Sequence, residues 1–193
     1  LSVEVKRRTV AGYNVMGVLE GNDPKLKNEY FIFGAHYDHL GFGGENSRDP
    51  DSKAIHHGAD DNASGVAGLL ELARVFAEER KQLRRSVAFI AFSGEESGLI
   101  GSHHYVDNPF IPNAKTITMI NLDMVGRMKD KKLTIGGVGT ASGFRKLVES
   151  TNESLDSAQK FTLQLSDDGF GPSDHSSFYA KQIPVLFFFT GTQ

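Results

Sequence analysis

The chain has no cysteine. Thiolate metal sites, thiol nucleophiles and disulfides are therefore excluded, although the compartment is left open. Basic residues are not in excess: 21 Lys and Arg stand against 24 Asp and Glu, for a formal net charge of −3. The basic stripe expected of a nucleic-acid binder is missing. No apolar run is long enough to span a membrane; the strongest one near the end, IPVLFFF from Ile183 to Phe189, is far too short. No signal peptide, repeat or low-complexity tract is visible. The chain opens on Leu1 rather than Met, so an upstream segment is expected to have been removed. What remains is ordinary for a globular protein: 193 residues, 39% apolar and 23% charged, enough for one domain with a substantial core.

Periodicity predicts an alternation of strands and helices. YNVMGVLEG (Tyr13 to Gly21) and YFIFGA (Tyr30 to Ala35) read as strands around a polar turn, and as a possible antiparallel pair. Residues 41–58 are Gly-rich and polar, a long loop of the kind that is often functional. Val66, Leu69, Leu70, Ala73, Phe76 and Ala77 follow a helical rhythm, with Asn62 or Ser64 as the cap. SVAFIAF (Ser86 to Phe92), TITMINLDM (Thr116 to Met124), KLTIGG, FTLQL and PVLFFF read as further strands. Leu99 to Asp107, Ser142 to Leu155 and SDHSSFYAK read as helices. Fully apolar strands between helices predict an α/β fold: a three-layer α/β/α sandwich with a mixed, largely parallel central sheet. Ligands in such sheets bind beyond the carboxyl ends of the strands.

Polar residues cluster where that rule points. His36, Asp38 and His39 follow one strand; Glu95 and Glu96 follow SVAFIAF. Asp123 follows TITMIN, Asp60 and Asp61 precede the first long helix, and Asp174 and His175 open the last short one. Taken singly, an aspartate before a helix is a cap and a lone histidine is a core residue. Asp123 within an apolar run is harder to dismiss, because an unpaired buried carboxylate is costly. Five segments carrying Asp, Glu or His to one sheet edge argue for a metal centre. Carboxylates and imidazoles without thiolates suit zinc or a similar divalent ion, and their number suggests two ions about 3.5–4 Å apart sharing a carboxylate. Residues two apart on an extended chain point the same way, so Asp38 is expected to orient His36.

GAHYDH, GADDNASG, AFSGEESGLIGS, INLDM and GPSDHSSF, in that order, resemble the co-catalytic di-zinc aminopeptidase family that includes bacterial leucyl aminopeptidase and aminopeptidase Y. The resemblance runs from about Tyr13 onward. It implies two Zn2+ ions, with Mn2+ or Co2+ as substitutes, held by His36, Asp60, Glu96, Asp123 and His175. Asp60 would bridge, and a cis peptide is expected at Asp60–Asp61. Glu95 would be the general base and Asp38 the residue orienting His36, while Met124 and Phe170 would line the substrate pocket. His39, His56, His57, His103 and His104 are assigned solvent or supporting roles, and Phe178 and Tyr179 the core.

The implied activity is release of bulky apolar N-terminal residues from peptides, with no nucleic-acid partner, no membrane span and an undetermined oligomeric state. A secreted or periplasmic location is expected by analogy alone. The chain is read as a single catalytic domain over residues 1–193, cut short after FFFTGTQ, where relatives continue with a loop and a closing helix. Alternatives on the same scaffold are a carboxypeptidase or dipeptidase, with Arg127 or Arg145 for a substrate carboxylate, a glutaminyl cyclase, or a catalytically silent binding domain.

Overall fold

The computed structural model describes residues 9–43, 47, 49, 51 and 53–192, so part of the loop expected over 41–58 lies outside it. Strands β1 (Val15–Leu19), β2 (Tyr30–His36) and β3 (Ser86–Phe92) come first. They are followed by β4 (Thr116–Leu122), β5 (Lys132–Gly136), β6 (Thr162–Leu165) and β7 (Val185–Phe189). Among the described residues these form one seven-stranded sheet in the order β1-β3-β2-β4-β7-β5-β6. The central pairings β2–β3, β2–β4 and β4–β7 are parallel, as is β5–β6, whereas β1–β3 and β5–β7 are antiparallel. The expected pairing of the first two strands is not formed: β3 lies between them. The cause is legible in burial. SVAFIAF is apolar on both faces and fits only an interior position, while β1, mostly exposed, suits an edge.

Helices α1 (Gly65–Glu78), α2 (Ile100–Asp107), α3 (Phe144–Ser154) and α4 (His175–Tyr179) cover the sheet. Strand β3 shows how. Val87, Phe89 and Ala91 face α1, where Phe33 and Phe89 stack at 5.7 Å beside Phe76. Ala88, Ile90 and Phe92 face α2 and α4, meeting Tyr105 and Phe178. Each such fully buried large side chain contributes roughly 1.5–3 kcal/mol. Helix α3 packs through Phe144 and Val148 on β5–β7. Leu70, counted in the apolar rhythm of α1, is instead 65% exposed. The layered α/β/α architecture is the one expected, and β2, β3 and β4 end together at His36, Phe92 and Leu122. No helix among the described residues is long and apolar enough to cross a membrane.

Candidate metal centre

The residues beyond these three strand ends are held by a small set of polar contacts. Asn62, 2% exposed, donates from Nδ2 to the Leu122 carbonyl at 2.9 Å. Its Oδ1 accepts the Gly65 and Met124 amides at 2.9 and 3.2 Å. Ser64 donates to the Asp60 carbonyl at 2.6 Å and accepts the Val125 amide at 3.0 Å. Asp60 Oδ1 accepts the Gly126 amide at 2.8 Å. Asp60, Asn62 and Ser64 are thus committed to the loop after β4, and Asp61, between them, is free to serve the site. Gly65 permits this close approach: a Cβ there would lie 2.3 Å from Asn62 Oδ1 and 2.4 Å from the Leu122 carbonyl oxygen. The cis peptide is at Asp61–Asn62, one residue later than expected.

Among the described residues, two groups of side chains could hold a metal ion: His36, Asp61 and Asp123, and His39, Asp61 and Glu96. Asp61 is common to both. His36 Nε2 lies 3.2 Å from Asp61 Oδ1 and 3.4 Å from Asp123 Oδ1. On the other side, His39 Nδ1 is 2.6 Å from Glu96 Oε1 and 3.9 Å from Asp61 Oδ2. Glu95 Oε2 is 3.9 Å from His36 Nε2. The two neighbouring glutamates therefore serve different sides of the cleft.

The first group fits a zinc ion. His36 Nε2 and Asp123 Oδ1 are buried without a hydrogen-bond partner, and they face each other. Donor atoms around a tetrahedral zinc with bonds of about 2.0–2.1 Å lie about 3.3 Å apart, which matches the spacings about His36. Its Nδ1 donates to the Asp38 carbonyl at 3.1 Å, which directs Nε2 into the cleft. The expected contact from the Asp38 carboxylate is not made, since Oδ1 is 3.8 Å away. That carboxylate accepts the Glu95 and Glu96 amides instead, at 3.2 and 3.4 Å, and so positions the glutamate turn.

The electrostatics favour positive charge. Burial opposes charging His36, but the carboxylates of Asp123, Asp61 and Glu95 outweigh it and raise its pKa to about 11. Burial pushes the Glu95 carboxyl up to about 8; the His36 charge opposes this, and Asp174, Asp123 and Glu96 add to it. Glu96 is raised by burial and by Asp61, against the pull of His39. Asp61 is lowered, chiefly by its contact with His36.

Two expected ligands stand outside both groups. Asp60 is turned to the Gly126 amide. The His175 ring stacks on Phe187 of β7, with centroids 4.3 Å apart, and burial lowers its pKa to about 4. Asp61 and His39 take the corresponding places in the geometry. Asn62, whose Oδ1 caps the Gly65 amide, is the signal that could have marked its neighbour Asp61; the second histidine of HYDH carried none by itself. Met124, at φ 50°, lines a cavity of about 410 Å3 with Gly58, Ala59, Asp60, Asp61, Gly126 and Arg127. Phe170 is 58% exposed, packs on Tyr179 and does not line that cavity.

Known proteins resemble this chain in sequence and fold. The chain is 32% identical over 180 residues to aminopeptidase YwaD of Bacillus subtilis (strain 168), covering 92% of this chain and 35% of that protein. A solved zinc aminopeptidase from Bacillus subtilis aligns with a TM-score of 0.66 at 31% identity, over 92% of this chain and 40% of that one. A Porphyromonas gingivalis glutaminyl cyclase shares the fold, with a TM-score of 0.71 at 23% identity over 93% of this chain and 64% of that one. The chain spans between 23% and 45% of the length of the curated relatives it matches. The family model described as Peptidase family M28 matches residues 14–193, and the chain belongs to that family.

Proposed function

We propose that the protein is a zinc-dependent aminopeptidase that uses two ions and removes N-terminal residues from peptides by hydrolysis. The observation that supports this best is the shared carboxylate of Asp61 between two donor groups, with Glu95 beside them and outside both. His36, Asp61 and Asp123 would hold one zinc, and Asp61, Glu96 and His39 would face the other. Bound zinc would supply Lewis acidity and make water a competent nucleophile near neutral pH. Glu95 is the general base: its carboxylate takes the proton from the attacking water and hands it to the leaving amine. Asp38 holds the Glu95 and Glu96 amides, which keeps the two carboxylates apart in direction. Met124 offers an apolar wall for the first side chain, consistent with a bulky apolar preference.

The test uses the full-length, zinc-loaded protein and leucine 4-nitroanilide. Glu95→Gln is expected to lower kcat by at least about 100-fold, the scale of general-base catalysis, with zinc content unchanged. N-acetylation of the substrate is expected to block turnover. Normal activity in Glu95→Gln would remove Glu95 from the mechanism, and cyclisation of N-terminal glutamine without peptide hydrolysis would replace the reading with a cyclase.

A further inference from the structure

Arg127 is, among the described residues, a cation without an ion-pair partner beside an acidic cleft. It lines the same 410 Å3 cavity as Asp61 and Met124. Its backbone is anchored: Val125, Gly126 and Arg127 donate their amides to Ser64 Oγ, Asp60 Oδ1 and Thr190 Oγ1, at 3.0, 2.8 and 3.4 Å. Its guanidinium has no hydrogen bond or ion pair among the described residues. Arg74, Arg84, Arg85 and Arg145 contrast with it, each bonded to a carboxylate within 2.9 Å; Arg80, likewise without an ion pair among the described residues, does not line this cavity. Arg127 is exposed and lines the cavity, and a free guanidinium there favours a planar anion; a carboxylate matches its fork.

We infer that Arg127 receives the free carboxylate of the residue that follows the scissile bond, so that the preferred substrates are dipeptides. The inference rests on the aminopeptidase reading and deepens it. With the substrate's reacting carbonyl at the Asp61 end of the cavity, a dipeptide carries its carboxylate one residue, about 3.5 Å of chain, further along. A longer peptide presents a neutral amide there, which cannot form the charged pair. The cavity volume lies near the lower end of the roughly 300–1,000 Å3 usual for small-ligand sites, in keeping with a short substrate. Asp60, which lines the same cavity, would repel a substrate carboxylate that found no cation, so discrimination falls to Arg127.

The experiment compares Leu-Leu, its C-terminal amide and leucine 4-nitroanilide on the full-length, zinc-loaded protein. Leu-Leu is expected to exceed its amide in kcat/KM by roughly ten- to a hundredfold, the scale of a charge-assisted pair. Arg127→Ala is expected to bring that ratio to near one while retaining zinc, and Arg127→Lys to restore part of it. In the Glu95→Gln protein, calorimetry is expected to read a similar ratio between the two Kd values. Equal kcat/KM for dipeptide and amide, or a ratio that survives Arg127→Ala, overturns the inference; nitroanilide hydrolysis in the same protein shows that the aminopeptidase reading still stands. Failure to hydrolyse any of the three overturns both.

Discussion

Asp60 and Asp61 are chemically identical neighbours with opposite assignments in space. One accepts the Gly126 amide; the other faces His36 and lies within reach of His39. Replacing Asp61 by Ala is expected to reduce zinc content from about two ions per protein to below one, because both donor groups lose a member. Asp60→Asn is expected to keep its zinc and lose only some stability. Elemental analysis after dialysis separates the two. Protonation offers a second test. With its pKa near 11, His36 carries a proton at pH 7 in the metal-free protein, and Glu95, near 8, is largely protonated too. A ligand imidazole must be neutral, so zinc loading at pH 7 is expected to release at least about one proton per protein. Calorimetry in buffers of different ionisation enthalpy measures that number. For the metal-free fold the sign is fixed as well. The folded-state pKa of His36 is raised, so its contribution to stability is complete below about pH 6.5 and is lost as pH rises towards 11. Glu95 acts in the same direction: its raised folded-state pKa costs stability progressively from about pH 4.5, the ordinary value, up to about pH 8, above which the loss is complete.

The turn Ala59–Ser64 and the loop after β4 form one hydrogen-bonded unit, and Asn62 is its centre. Asn62→Ala would leave the Gly65 and Met124 amides and the Leu122 carbonyl without their partner. A loss of about 2–5 kcal/mol in urea unfolding, together with weaker zinc binding, is the expected outcome. A small change would mean that water replaces the side chain. Local pattern was enough to locate the helices and strands: SVAFIAF became β3 without adjustment, and the apolar rhythm of residues 66–77 became α1. It was not enough for strand neighbours. The short polar turn between β1 and β2 is compatible with a hairpin, and only the insertion of β3 between them, driven by burial of both its faces, decides otherwise.

At the scale of the whole molecule, strand ends far apart in sequence meet and leave a cleft short of positive charge. Metal binding should therefore be coupled to stability. Zinc at about one hundred times its Kd adds about 2.7 kcal/mol per site, so chelation is expected to lower Tm by about 5–10 °C per site lost. Differential scanning calorimetry with and without chelator reads this directly, and an unchanged Tm would contradict the coupling. The sequence by itself determined the α/β class, the parallel core and the edge where acidic and imidazole groups gather, because period, burial and the sheet rule act over many residues and tolerate local error. Only the tertiary structure decided that Asp61 rather than Asp60 faces the cleft, and that His39 enters it while His175 stacks on Phe187. Those choices depend on single backbone dihedrals and on which neighbour a side chain meets across the fold, and a linear pattern does not encode either.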